Sequence, residues 1–389
     1  MITETTYDVL VVGARCAGAA TAMLLARKGL RVLLIDRGSY GTDTTSTHAL
    51  MRGGVLQLHR WGILPRLKSA GTPAVRETTF HYGDETVTVP IKPCGGVDAL
   101  YAPRRTLLDS MLVDAACAAG VDVRYGHNVV ELSRRWRGRV CGAAVVDSNC
   151  NMLQVKADMV VGADGLASNV ARLAGAEILH EARHTTAIIY GYFPDLELRG
   201  YHWWYRPGIG VGAIPTNGRR HCVFVAMPPE RLRNGPWRRY HAAALSAVLR
   251  EADPALAASL AAFEPESGLS VFAGRKGFLR RATGPGWALV GDAGYFKDPL
   301  TAHGITDAFR DAELLANAIA GGDIAEYAAI RDELSLPLFQ VTDAIAALDW
   351  DLARIKALHG ELSEAMKWEV DHLLTLGDAQ RIMIEEEVS

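Results

Sequence analysis

Three glycine–acid clusters, each behind a short apolar run, carry the chemistry legible in this chain. The first is Gly13-x-Arg15-x-x-Gly18, set after apolar residues 9–12 and before an alanine- and leucine-rich stretch. Glycines at this spacing permit a tight turn, close approach of backbone to a pyrophosphate, and close helix–strand packing. Asp36 ends a second apolar run, 32–35, at the distance where a carboxylate meets a ribose hydroxyl. Gly162-Ala-Asp164-Gly165 follows the run 159–161, and Gly291-Asp292-Ala-Gly294 follows 287–290. Any one Asp-Gly pair reads equally well as a turn. Three at strand ends, where open α/β sheets gather ligands, read as a single dinucleotide site with acids placed for polyol hydroxyls. Arg15 stands where the fingerprint has its middle glycine, so the pattern by itself leaves the dinucleotide open.

These clusters need a parallel sheet to stand on. Residues 6–36 read as strand, helix, strand, and 158–163 and 287–291 as further buried strands. Residues 38–47 are small, polar and turn-forming, long enough for a working loop. Helices are predicted over 48–61, with Leu50, Val55, Leu56 and Leu58 on one face, and over 103–119. Residues 75–92 alternate around Gly83-Asp84 and predict a hairpin. Strands near 121–125, 128–133, 139–146 and 152–156 predict a meander. A β pattern returns over 183–230 and 269–273, around a helical stretch at 237–263 broken near Pro254. From 307 onward the period is helical, punctuated by Gly321-Gly322, Pro337 and Gly377.

Composition narrows the class. With 389 residues, 49% hydrophobic and 22% charged, the chain has core enough for two or three domains. A net charge of −3 gives no footing for nucleic acid or an anionic membrane as partner. Cysteines 16, 94, 117, 141, 150 and 222 form no C-x-x-C and no cluster with histidines. A reduced cytoplasmic setting and no metal are therefore expected. The first strand opens almost at once, so no signal peptide is expected, and no apolar run approaches the ~18 residues of a membrane span.

The first fingerprint, VVGADGLAS-x-V-x-R (160–172) and LVGDAGYFKDPLTAHGITDAFRDAELLA (289–316) together resemble the flavoprotein aromatic hydroxylases of the p-hydroxybenzoate hydroxylase superfamily, over nearly the whole chain. The resemblance implies an α/β fold. A Rossmann-like FAD-binding domain (1–74, 97–182 and 275–320) would be interrupted by a β-sheet substrate domain (75–96 and 183–274) and followed by C-terminal helices (321–389). It also implies roles. Gly13, Arg15 and Gly18, with Cys16 and Ala17, would line the FAD pyrophosphate at a helix N-terminus, which favours anions. Asp36 and Arg37 would take the adenosine ribose. Arg52, in R-G-G-V-L, and Arg104, opening R-x-x-L, match family arginines along the FAD. Asp164 belongs to the Asp-Gly motif tied to FAD and the nicotinamide donor, and Gly291-Asp292 to the ribityl chain. The family's P-x-x-G-x-G-x-N lays a helix N-terminus against the flavin pyrimidine, where its donors can stabilise the reduced anion. Here Pro299, His303, Gly304 and Ile305 occupy that stretch, with Ala302 for its first glycine and Thr306 for its asparagine. Tyr295 stands where a histidine is commoner. Pro299, His303 and Gly304 are the catalytic candidates.

Two histidines admit more than one reading. His303 either touches flavin or substrate or fills space the family gives to another side chain. His48 admits a flavin contact, even a covalent link, or a hydrogen-bonded structural role. In the β insert, strand alternation puts Tyr190 and Tyr192 on one face, and Trp203 and Tyr205 likewise. With Ile214 and Pro215 they are the candidate pocket for a planar or polycyclic substrate, or else they pack against helices.

The resemblance implies a single-component monooxygenase. NADH or NADPH, visiting transiently, reduces the flavin; O₂ adds to give a C4a-hydroperoxide; one oxygen passes to an aromatic ring. A monomer or homodimer acting on a small aromatic molecule is expected. An alternative is a flavin-dependent reductase of the geranylgeranyl (prenyl/alkene) type, whose sequences also resemble 291–304. Halogenases on this scaffold carry W-x-W-x-I-P, and the best match, Val211-Gly-Ala213-Ile-Pro215, lacks both tryptophans. A non-catalytic FAD-binding sensor would bind FAD without oxidising NAD(P)H.

Overall fold

The computed structural model describes residues 4–388 other than 195, 235, 236 and 238, with side chains over 6–376. The parts of the expected ranges that fall on 1–3, 195, 235, 236, 238 and 389 lie outside the described residues. Eight strands form the first sheet: β1 (Glu4–Val12), β2 (Val32–Asp36), β5 (Asp122–Tyr125), β6 (Asn128–Arg134), β7 (Val140–Val146), β8 (Met152–Gly162), β16 (Thr283–Gly284) and β17 (Trp287–Leu289). β1 is central and parallel to both β8 and β2, and β17 runs parallel to β8 on its far side. Both faces of β1 are therefore buried, which is why it reads as an unbroken apolar run. Val9 and Val11 join the core of α1 (Cys16–Arg27), α4 (Arg105–Ala118) and α9 (Gly304–Gly321), while Leu10 and Val12 join the core under β6 and β7.

The second sheet has the order β14 (Glu266–Phe272), β10 (Ala187–Pro194), β13 (Arg220–Met227), β12 (Ile209–Thr216), β11 (Tyr201–Arg206), β3 (Glu77–Tyr82) and β4 (Glu85–Pro90). The hairpin β3–β4, turning at Gly83 with φ of 62°, thus joins strands from more than a hundred residues later through a parallel β3–β11 pairing. Alternation sorts its side chains. Tyr190, Tyr192, Trp203, Tyr205 and Phe224 enter the large core, and Ile189, Phe193, Trp204 and Val225 pack against α7 (His241–Ala252) and α8 (Pro254–Leu260). A third, three-stranded sheet is formed by β9 (Ile178–Glu181), β15 (Phe278–Arg280) and β18 (Tyr295–Phe296). The remaining helices are α2 (Arg52–Arg60), α3 (Leu64–Ser69), α5 (Asn169–Ala174), α6 (Pro229–Arg233), α10 (Ile324–Ala346) and α11 (Leu352–Val388). Among the described residues no helix is long and apolar enough to cross a membrane.

Several local expectations need correction. The helix predicted over 48–61 starts only at Arg52, because His48 has φ of 45° and Leu50 bridges to Tyr101 in an extended segment. The strands expected at 152–156 and 158–163 are one strand, β8, paired with β1 along its length and with β7 at its start. β5 leaves the expected meander and pairs with β2. Pro337 does not end a helix; α10 runs through it, and α11 runs through Gly377. The helical stretch at 237–263 does break near Pro254 as expected, into α7 and α8, the second capped by Asp253.

Gly212 tests the packing of the second sheet. A Cβ there would lie 2.2 Å from the buried Phe224 ring, whereas one at Gly210 would meet the tip of Leu300 at 3.1 Å. Gly212→Ala should destabilise the protein by about 1–3 kcal/mol in chemical denaturation, as overpacking does, with Gly210→Ala costing clearly less.

Candidate functional site

A cavity of about 660 Å³ opens at the carboxyl ends of β1, β2, β8 and β17, where a parallel sheet gathers ligands. Gly13, at φ of 107°, closes the first turn against the second: a Cβ on it would lie 2.4 Å from the Ala163 carbonyl oxygen. A Cβ on Gly18 would strike the Gly13 carbonyl oxygen at 1.7 Å, so Gly18 serves the close seating of α1 and does not itself line the cavity. Gly291 likewise works by packing. Its N–H donates to Asp311 Oδ2 (3.0 Å), and a Cβ would press on Ala17.

The N-terminus of α1 carries Arg15, Cys16 and Ala17 into the cavity wall. Buried Asp109 organises this end. It accepts two bonds from Arg105 (3.0 and 3.1 Å), one from the Cys16 thiol (3.0 Å) and one from Arg15 (3.3 Å). Burial holds the Cys16 thiol in its protonated form, its pKa pushed well up. Two guanidinium groups beside a helix N-terminus suit a pyrophosphate. Here the structure corrects the sequence reading. Arg104 and Arg105 both open an R-x-x-L, and it is Arg105 that lines the cavity. Arg104 lies instead over the Tyr192 ring, 3.5 Å from its centroid. The signal for the right frame was Asp109, four residues after Arg105 on one helix face. Arg52, at the head of α2, also stays outside the cavity wall.

Asp36 and Arg37 line the same end together with His127 and Asn128. The Asp36 carboxylate accepts from the backbone N–H groups of Ala14 (2.7 Å) and Gly38 (2.6 Å), which fix it at the rim. Asp164 lines the middle and doubles as a cap, accepting from Asn169 N–H (2.7 Å) and Val170 N–H (3.1 Å) at the start of α5. Asp292 lies deeper. Burial and then the nearby Asp307 push its pKa up to about 6, against the pull of Arg105 and Lys297.

At the far end the turn 299–301 leads into α9, presenting Pro299, Ala302, Gly304 and Ile305 to the cavity. Asp298 pins this turn to β10: it accepts from Thr186 N–H (2.7 Å), Thr186 Oγ1 (2.8 Å) and Leu300 N–H (3.0 Å). Ala302, standing where glycine is usual, keeps the left-handed backbone with φ of 51°, a strain of about 1 kcal/mol. The side chain of His303 does not line the cavity. It turns into the protein and bonds Glu369 Oε2 at 2.7 Å. His303, Asp307 and Glu369 come close enough to bind a metal, but Lys297 and Arg310 already pair with their carboxylates.

His48 lines the cavity, stacks on Tyr192 and shares a 3.0 Å hydrogen bond with its hydroxyl. Burial, with Arg104 and Arg105 nearby, lowers its pKa to about 3, so it is a neutral ring at any working pH. Of the six candidate pocket residues only Tyr190 reaches the cavity, where its hydroxyl accepts from Ser46 N–H at 3.0 Å. Tyr192 is roofed by Arg104. Trp203 packs between Tyr201 and Phe224, and Tyr205 lies against His359 and Trp350. Ile214 and Pro215 are also outside the lining. Tyr190 and Tyr192 share a face as alternation predicts, as do Trp203 and Tyr205, and α11 covers Tyr205 through His359. The apolar wall of the cavity is made by Ile188, Phe272 and Phe296, and the 188–272 pairing of β10 with β14 brings two of them together.

Two outcomes follow from this geometry. In FAD titrations, the dinucleotide that the motifs point to, Arg105→Gln should weaken binding by about 10- to 100-fold, as loss of a charge-assisted contact does, and Arg104→Gln far less. In the apoprotein, Asp292 favours the native state most when protonated, below the unfolded pKa near 4, and that advantage is lost as pH rises through about 6. Asp292→Asn should therefore be more stable than wild type above pH 6, by up to the ~3 kcal/mol such a shift is worth, and the gap should close below pH 4 in thermal unfolding.

Comparison with known proteins agrees with the site. Residues 6–322 match the family model described as FAD binding domain. The chain is 28% identical over 352 residues to menaquinone reductase of Mycolicibacterium smegmatis, covering 83% of this chain and 79% of that one. It is 29% identical over 342 residues to 6-methylpretetramide 4-monooxygenase of Streptomyces rimosus (78% and 73%), and 25% identical over 336 residues to digeranylgeranylglycerophospholipid reductase of Methanocella arvoryzae (84% and 81%). Among solved structures the flavin-dependent brominase Bmp2 superposes with a TM-score of 0.78 at 19% identity, covering 95% of this chain and 93% of that one. Pseudomonas aeruginosa PqsL in complex with 2-aminobenzoylacetate gives 0.76 at 20% identity, covering 92% and 100%. At such identities these two show the fold alone. The family match, spanning the cavity from Gly13 to the start of α9, makes this chain a member of the FAD-binding-domain family and an FAD-dependent oxidoreductase.

Proposed function

We propose that the protein is a single-component monooxygenase that takes electrons from NADH or NADPH and places one atom of O₂ on an uncharged aromatic or polycyclic small molecule, the other leaving as water. The observation that carries this reading is the apolar end of the cavity. Ile188 and Tyr190 of β10, Phe272 of β14 and Phe296 of β18 line it together with residues of the turn 299–304. Among the described residues of that wall the cation is Lys297, and its pairing with Asp307 favours an uncharged substrate over a carboxylate. Bound flavin supplies electron transfer and activation of O₂.

The chain's own residues have distinct tasks in this reading. Arg15 and Arg105 bind the dinucleotide phosphates and Asp36 a ribose. Asp298 orients the turn that carries Pro299 and Gly304, and the free N–H groups at the start of α9 face the negative charge that reduction creates. The apolar wall excludes water and orients a flat ring. The His303 ring is engaged by Glu369 and is not part of the cavity wall, which leaves Pro299 and Gly304 as the candidates for direct contact. The described residues hold no second strand–glycine turn–helix unit, which suits a nicotinamide that visits rather than resides. Three arginines close in sequence, Arg275, Arg280 and Arg281, could attract its phosphate but offer it little. Arg280 packs on Phe278 and bonds the Ala293 carbonyl, and Arg281 pairs with Glu177.

A second reading, reduction of an alkene or prenyl chain, is favoured by the menaquinone and digeranylgeranylglycerophospholipid reductases among the relatives. Halogenation is disfavoured. The positions where that motif has tryptophans are Gly210 and Gly212, and Leu300 and Phe224 fill the space such side chains would need.

Turnover of FAD-loaded protein with NADH or NADPH under ¹⁸O₂, against a panel of uncharged aromatics, decides between them. Monooxygenation predicts NAD(P)H oxidation and one ¹⁸O atom in the product. A product carrying two added hydrogens, no label and full yield without O₂ establishes the reductase instead.

A further inference from the structure

The turn between β6 and β7, residues 134–139, reads Arg-Arg-Trp-Arg-Gly-Arg, and the functional reading makes no use of it. All six residues are exposed, Trp136 to 81%. Backbone bonds close the turn: Arg135 N–H donates to the Arg139 carbonyl (2.8 Å), and Gly138 N–H to the Arg135 carbonyl (3.0 Å). Arg134 braces it, donating to the carbonyls of Gly138 (2.9 Å) and of Leu173 in α5 (2.9 Å). Arg139 donates to the Asp158 carbonyl (3.3 Å). Because these acceptors are carbonyl oxygens, they fix the turn without neutralising its charge. Arg137 holds a left-handed backbone, φ of 62°, and its guanidinium lies over the Trp136 ring, 4.1 Å from the centroid. A braced turn thus holds a tryptophan outward among four cations.

The net charge of −3 averages this concentration away. A nucleic acid duplex spreads its charge along an axis and asks for a basic face of matching length. Here exposed Glu131, three residues before the turn, and exposed Asp158, whose carbonyl Arg139 bonds, confine the basic face to the turn itself. An indole among arginines suits the headgroup level of an anionic bilayer, where the ring meets the acyl boundary and the cations meet lipid phosphates. We propose that the turn 134–139 docks the protein peripherally on a bilayer containing anionic lipids, with Trp136 entering the headgroup layer and Arg135 and Arg137 on the lipid phosphates. Asn128 and Val129, at the other end of β6, line the cavity. They lie about 20 Å along the strand from the turn, so the contact is separate from the cavity. The docking is independent of the reaction that the flavin end performs.

The test mixes FAD-loaded wild type, Trp136→Ala and the double variant Arg135→Gln/Arg137→Gln with vesicles. One set holds phosphatidylglycerol and phosphatidylcholine in equal parts, the other phosphatidylcholine alone, and the bound fraction is read by sedimentation. Wild type should sediment with the mixed vesicles only, and less so as salt rises. Each arginine near an anionic surface is worth about fivefold in partitioning, so the double variant should bind about 25-fold more weakly. Trp136→Ala should also lose binding. The substituted side chains are exposed, so flavin content and unfolding midpoint should match wild type. Wild type that stays in the supernatant with mixed vesicles, or variants that sediment as it does, overturn the proposal. Displacement of wild type from the vesicles by an equal charge of duplex DNA also overturns it and assigns the turn to nucleic acid.

Discussion

Between Gly13 and the carbonyl of Ala163 there is no room for a side chain, and the geometry of the site depends on that contact. The pairings Val12↔Gly162 and Leu289↔Gly162 put the ends of β1, β8 and β17 at one level. The turns that leave them therefore meet, and only a glycine at 13 lets the first pass under the second. Because those turns meet, α1 begins at the cavity rather than beside it, and Arg15, Asp164 and Asp292 share one lining. Hydrophobic burial on both faces of β1 holds the register, so the precision of a polar site rests on apolar packing.

Beyond the phosphate end, buried charge sets the character of the cavity. Asp109 gathers Arg15, Cys16 and Arg105 at one end, and Arg310 gathers Asp307, Asp311 and Glu369 near the other. Each hub is buried and each is shared by elements distant in sequence. Such networks hold a site when fully satisfied and are costly when one member is removed. Asp292 lies between them, and its burial raises its pKa to about 6.

Much of the fold was legible because its signals are local. Gly13, Asp36, Asp164 and Asp292 announced themselves by spacing behind apolar runs, and strand alternation put Tyr190 with Tyr192, and Trp203 with Tyr205, on a shared face. What lay hidden depends on partners far along the chain. His303 reads as a residue beside the flavin until Glu369, 66 positions later, draws its ring the other way. The aromatic face reads as a substrate pocket until α11 brings His359 against Tyr205. Arg104 and Arg105 differ by one residue on a helix start, and only the bond from Arg105 to Asp109 separates their roles. The wall of Ile188, Phe272 and Phe296 joins three strands from two sheets, a juxtaposition no local window contains.

The central claim is that one cavity, running from Asp36 to the turn 299–304, holds a complete FAD. Calorimetric titration of apoprotein with FAD, read beside the visible flavin spectrum, tests it most directly. The account predicts saturation at one FAD per chain with a perturbed flavin spectrum, because the flavin end enters an apolar wall. Failure to take up FAD, or a bound flavin whose spectrum matches free FAD in water, would contradict it.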